Sequence, residues 1–151
     1  MLDMSESFEN QPLGYLLSRV MHALKTDVAA TVLDPLEVAF PDYLCMRVLS
    51  KYPGHSNAEL ARALNVSPQA MNIVLRGLEN RGLVSRPAIV SSGRSLPAQL
   101  TREGEELLKR TDAGVRAAEG RLLANLTAKE RDEFKRILAT LGTDPIKKRD
   151  L

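Results

Sequence analysis

Apolar residues along this chain recur at helical spacing for most of its length, and at a period of two only once. Leu13, Leu16, Leu17, Val20, Leu24 and Val28 step by three and four, which predicts an amphipathic first helix, with Pro35 ending that region. A second helix is expected after Pro41, with Leu44, Val48 and Leu49 inward and Pro53-Gly54 as its stop. Ser56-Asn57-Ala58-Glu59 has the spacing of a capping box and opens a short helix with Leu60, Ala61 and Leu64 inward. Asn65-Val66 reads as a tight turn. Ser67-Pro68 then restarts the chain as N-cap and first helical residue, Met71, Val74, Leu75 and Leu78 face inward, and Gly82 stops this helix. Leu83 to Ala88 and Leu96 to Thr101 are short extended stretches around the polar loop 91–95, the pattern of a hairpin whose Pro87 and Pro97 each remove a ladder donor. From Thr101 a long helix carries a narrow seam, Leu108, Thr111, Val115, Ala118 and Leu122. Thr127-Ala128-Lys129-Glu130 caps a last helix with Phe134, Ile137, Leu138 and Leu141 expected inward and Gly142 and Pro145 at its end.

Composition narrows the class. The 151 residues are 44% hydrophobic and 26% charged, ordinary globular values, with no apolar run of membrane-spanning length. Residues 1–11 are acidic and polar, unlike a secretory leader, and the lone Cys45 excludes an intramolecular disulfide, so a cytoplasmic protein without a membrane role is expected. The formal net charge of +2 argues at first against a nucleic-acid partner. Divided, it is −4 over residues 1–40, +5 over 41–102 and +1 over 103–151. The central segment is basic, and arginine supplies seven of its eight cations, the side chain suited to forked contacts with phosphate or guanine.

That basic segment also contains the layout of a helix-turn-helix from Glu59 to Leu78. Ala61 lies where two helices must approach closely, and Asn65 lies where the turn needs a left-handed backbone. On the second helix Gln69, Asn72, Ile73, Arg76 and Asn80 fall opposite the apolar stripe. Gln and Asn pair with adenine edges, Arg76 with guanine or phosphate, and Ile73 can meet a thymine methyl. Ser67, Pro68 and the first amides of the helix are placed to hold a phosphate. The hairpin behind them makes the unit a winged helix. Arg94 lies at its tip, with reach into a minor groove, while Arg86 lies on one strand and Arg102 beyond the other.

The run NAELARALNVSPQAMNIVLRGLENRGLVSRPAIVSSGRSLPAQLTREG resembles the winged-helix core of the MarR family of bacterial transcription regulators, and the flanking helices extend the resemblance over about residues 12–142. The resemblance implies a mainly α fold with a small two- to three-stranded β wing. It implies an N-terminal helix over 12–34, a DNA-binding core over 41–102 and C-terminal dimerisation helices over 103–142. It further implies a homodimer on a pseudopalindromic double-stranded operator, often a repressor released by a small phenolic or other aromatic ligand. In the family's pattern Ser67, Gln69 and Asn72 hold DNA-facing positions. A frequent arginine falls on Ile73, a frequent Asp-Arg pair falls on Arg76-Gly77, and the wing's Asp-x-Arg becomes Ser92-Gly93-Arg94.

The effector crevice implied by the resemblance would draw on Tyr15, Arg19 and His22 of the first helix with Tyr43 and Met46 of the second. Arg19 would hold a carboxylate and the others enclose a ring. Cys45 offers a redox-responsive alternative, and a winged helix used for protein contact offers another. The two histidines, His22 and His55, lack metal-ligand spacing, and no glycine-rich phosphate loop or nucleophile motif is present, so neither a cofactor nor an enzymatic activity is expected.

Overall fold

The computed structural model describes residues 7–86 and 97–142. Six α-helices and one two-stranded ribbon follow in the order α1 (Leu13–Val28), α2 (Phe40–Lys51), α3 (Asn57–Ala63), α4 (Pro68–Asn80), β1 (Val84–Ser85), β2 (Gln99–Leu100), α5 (Arg102–Leu122) and α6 (Ala128–Leu141). A single 3-10 turn, Phe8–Asn10, precedes them.

α1 does not stop cleanly. It widens into five residues of π-helix, Ala29–Leu33, and tightens into one 3-10 turn at Asp34–Leu36, where Pro35 sits. The Thr31 hydroxyl donates 2.7 Å to the Asp27 carbonyl, competing there with the backbone ladder. Glu37, left-handed at φ 55°, then turns the chain into α2. The widened segment lies against α5, because Gly114 leaves room for it: a Cβ there would come within 2.6 Å of Val32.

The core gathers Val32 and Leu33 with Cys45, Met46 and Leu49 of α2, Leu60 and Ala61 of α3, Met71, Leu75 and Leu78 of α4, and Leu108, Thr111 and Ala118 of α5. The α5 seam is therefore real for its central positions. Thr111 is the buried polar member, and its hydroxyl donates 2.8 Å to the Leu108 carbonyl, which removes the cost of an unpaired group.

Val84 pairs with Leu100 and Ser85 with Gln99, antiparallel, at the base of the expected hairpin. Backbone bonds from Gly54 to the Ala98 carbonyl and from Ala98 to the His55 carbonyl lay the α2–α3 connection beside β2. The Thr101 hydroxyl serves twice, donating 2.6 Å to the Gly82 carbonyl while accepting from the Gly104 amide. That one side chain joins the end of α4 to the start of α5 beneath the ribbon.

Two expectations fail, both at the ends of the chain. Of the α1 stripe only Val28 is buried, and Leu13 is 66% exposed. In α6, Ile137, Leu138 and Leu141 face solvent rather than inward, and the helix buries no residue. The periodicity that marks an inner face is present, but among the described residues much of the α1 stripe and the end of the α6 stripe stay uncovered, Leu24 being the α1 member that packs against the core beside Val28.

Candidate nucleic-acid interface

The α3–turn–α4 unit is built by local side chains as its sequence predicts. The Ser56 hydroxyl accepts from the Glu59 amide at 3.2 Å, although Glu59 returns its carboxylate to the Ser56 hydroxyl instead of the Ser56 amide. Ala61 is buried and its carbonyl accepts from Val66 at 2.9 Å across the turn. Asn65 adopts φ 54°, the left-handed backbone required there. The Ser67 hydroxyl caps α4 by accepting from the Ala70 amide at 3.1 Å, with Pro68 in the first turn.

Both ends of α4 are held by other elements. At its start the Asn57 amide of α3 donates 3.2 Å to the Pro68 carbonyl. At its end the Arg81 guanidinium donates to the Glu37 carbonyl at 2.7 Å and the Leu36 carbonyl at 3.4 Å, the turn that closes the α1 region. Gly82, at φ 73°, supplies the left-handed residue past the helix, and Leu83 N–H reaches back to the Leu78 carbonyl at 2.9 Å.

Between these anchors α4 presents one continuous outer surface. Ser67, Pro68, Gln69, Ile73, Arg76 and Asn80 are exposed and Asn72 is half-buried. Arg76 makes no ion pair among the described residues and stands free to meet an anion. Arg86 departs from its expected place. Its side chain is 22% exposed and its Nε lies 2.7 Å from the Glu79 carboxylate, so it joins β1 to the last turn of α4 instead of projecting outward. The Arg86 Nε and Nη2 are buried without hydrogen-bond partners among the described residues, so the contact with Glu79 is a close charge pair that offsets the burial of the guanidinium. Arg94 and the loop 91–95 lie outside the described residues.

The five candidates for an effector crevice are not brought into one lining. Tyr15, Arg19 and His22 lie on the solvent side of α1, the Arg19 guanidinium 5.8 Å from the Tyr15 ring centre. Met46 turns the other way and is wholly enclosed in the core, because α2 buries a wider face than Leu44, Val48 and Leu49 alone suggest. Tyr43 is also buried. Its hydroxyl donates 3.2 Å to Asp112 of α5, and Arg47 reaches the other oxygen of that carboxylate at 3.1 Å. Burial first, and the Asp112 charge second, push the Tyr43 hydroxyl up to about 12. The sequence pattern missed an apolar cavity of about 130 Å³ under the first turns of α4, bordered by Leu44, Leu64, Val66, Met71 and Val74. Several of these are residues that the helical periodicity assigns to solid core.

Cys45 is fully buried, and burial pushes its thiol up to about 12. A thiol so placed is neither ionised nor reachable at neutral pH, which removes the chemical basis for a redox sensor. Among the described residues no group of three or more His, Cys, Asp or Glu could hold a metal ion, and no helix is long and apolar enough to cross a membrane.

Known proteins bear on this geometry. The MarR family model matches residues 40–96, from the start of α2 past β1. The HTH-type transcriptional repressor Rv2887 of Mycobacterium tuberculosis is 57% identical over 136 residues, spanning 90% of this chain and 97% of the relative. The structure of Rv2887 in complex with DNA superimposes with a TM-score of 0.79 at 51% identity, covering 89% of this chain and all of that one. Its complex with salicylic acid gives 0.75 at 56% identity, covering 90% of this chain and all of that one. MarR of E. coli, at 22% identity, shares the fold with a TM-score of 0.76 over 88% of this chain and 98% of its own. At 57% identity to Rv2887 over nine-tenths of its length, with the family model on its central segment and a helix-turn-helix followed by a ribbon there, the chain belongs to the MarR family.

Proposed function

We propose that the chain is a sequence-specific DNA-binding transcriptional repressor that acts as a homodimer in the cytoplasm and leaves its operator when a small aromatic acid binds. One observation carries the reading. α4 is fixed at both ends and offers an exposed row of amide and guanidinium groups, in a chain 51% identical to a protein whose structure contains DNA. Ser67, Pro68, Gln69, Asn72, Ile73 and Arg76 are the DNA-facing set, with Arg94 of the wing added from the sequence. The exposed apolar faces of α1 and α6 support the division into dimerising regions, 12–34 and 103–142, around the reading core 41–102. Two such protomers related by a two-fold axis would set their α4 helices about one DNA turn apart, roughly 34 Å.

Complexes of Rv2887 with salicylic and p-aminosalicylic acid support an aromatic acid as effector. Tyr15, Arg19 and His22 remain open for it, with Arg19 as the carboxylate partner. Catalysis has no part in the proposal. The protein-contact alternative is disfavoured because the outer surface of α4 carries Gln69, Asn72 and Arg76 where an apolar patch would be needed.

A mobility-shift titration on the promoter beside the chain's own gene tests this. Retardation at low salt, abolished by salicylate, is the expected result; no shift on that promoter or on any sequence selected from a random library overturns DNA reading. A shift that no aromatic acid relieves overturns the effector alone.

A further inference from the structure

Ile73 is out of character with its surroundings. It is 72% exposed in the middle of α4, whereas Met71, Leu75 and Leu78 of the same helix are buried. One turn to either side lie Gln69 and Gly77, and the adjoining row is Asn72, Arg76 and Asn80. The outer surface of α4 thus has two rows. One is polar throughout. The other passes from an amide through a branched alkyl group to bare backbone, and a Cβ built on Gly77 would have nothing within 4 Å.

An exposed alkyl group can serve association between proteins, but that use needs a patch. The other exposed large apolar side chains lie elsewhere: Phe8 before α1, Leu13, Tyr15, Leu17 and Met21 on α1, Ile137, Leu138 and Leu141 on α6, and Val66 in the turn before α4, where it borders the apolar cavity. Ile73 is isolated among hydrogen-bonding groups. In a major groove such a side chain has one chemical counterpart, the 5-methyl group of thymine. The missing side chain at Gly77 removes bulk one turn further along, which lets the helix backbone approach the DNA closely.

We infer that Ile73 specifies a thymine in each operator half-site by contact with its methyl group, with Gly77 seating the helix and the Asn72–Arg76–Asn80 row reading its neighbours. The inference rests on the DNA-binding function proposed above. Its test begins with sequences selected by the protein from a random library. Each thymine of the selected half-site is then replaced singly by deoxyuridine, which deletes only the methyl. One position per half-site should weaken binding about fourfold, the worth of one buried methyl, in the unaltered protein. The Ile73→Ala variant should be indifferent to that replacement. Gly77→Ala should raise the melting temperature, as alanine does within a helix, yet weaken binding several-fold. If no deoxyuridine position matters, or if Ile73→Ala keeps the sensitivity, the thymine contact is overturned. If Gly77→Ala binds as tightly as the unaltered protein, the seating role is overturned. Failure to select any sequence overturns DNA reading itself, a result separable from the other two.

Discussion

Among the described residues, five cations of the basic segment are engaged within the chain. Arg47 meets Asp112, Lys51 lies 5.3 Å from the Tyr52 ring centre, Arg81 meets two carbonyls, Arg86 meets Glu79, and Arg102 meets Glu106. The +5 of residues 41–102 is thus partly scaffold, and Arg76 is the member of it that α4 leaves unpaired toward solvent. Arg86→Ala should lower stability by roughly 1–3 kcal/mol, from the half-buried Glu79 left without its partner, checked by urea denaturation; its contribution to the salt dependence of DNA binding should be smaller than that of Arg76→Ala. Outside that segment, Arg121 grips Asp27 with both ends of its fork, at 2.9 and 2.8 Å, joining α5 to α1. The hydrogen bond from Arg121 holds the Asp27 carboxyl below its ordinary value of 3.8. The folded carboxyl is the stronger acid, so the contribution is present above the unfolded value and lost as pH falls through the folded one. Asp27→Asn should therefore flatten the acid limb of the stability profile below about pH 4 while changing neutral stability little, because the pair is exposed. Thermal unfolding followed across pH 2–7 measures both.

At the scale of elements, short-range chemistry was legible and long-range chemistry was not. Asn65, Ser67-Pro68, Gly82 and Thr127-Glu130 act through neighbours within four residues, and each sits where its spacing places it. The Arg86–Glu79 pair and the Asp112 cluster join residues whose meeting depends on how helices pack, which no local spacing encodes. The π segment was hidden for a related reason: it depends on Gly114, some eighty residues away, as well as on Thr31. The capping at α4 makes a direct test. Ser67→Ala leaves the Ala70 amide without its acceptor and should cost about 1 kcal/mol in chemical denaturation. Gly104→Ala should be worse, because a Cβ there would collide with the rigid Leu83 carbonyl, which itself accepts from Thr101. A drop in melting temperature of several degrees is expected, and an unchanged value would mean that α5 can shift away from the ribbon.

For the whole molecule, the sequence gives the helical stripes at both ends of the chain but not what they cover. An apolar face predicts burial without naming the surface that provides it, and the α6 face, exposed from Ile137 to Leu141, meets none among the described residues. Ile137→Glu combined with Leu141→Glu should leave the fold intact and break the proposed dimer, read in sedimentation as a shift to monomer relative to the unaltered chain. Operator affinity should fall with it, since two half-sites then bind independently. A double variant that remains dimeric would move the interface elsewhere.

The anchoring of α4 has a consequence for how such a protein changes over time. Asn57 and Arg81 hold the helix by its backbone or by carbonyls beyond it, while Gln69, Ile73 and Arg76 point away from every element that supports it. What the helix is proposed to read is thereby uncoupled from what keeps it in place. Preference for one operator can drift by single substitutions on the outer rows without a folding penalty to restrain it, so a duplicated copy could acquire a new regulon before it needed any compensating change in its core. Replacing Gln69, Ile73 and Arg76 together by alanine should accordingly move the melting temperature by no more than a few degrees while erasing sequence preference; a large loss of stability would show that reading and support are not separable after all.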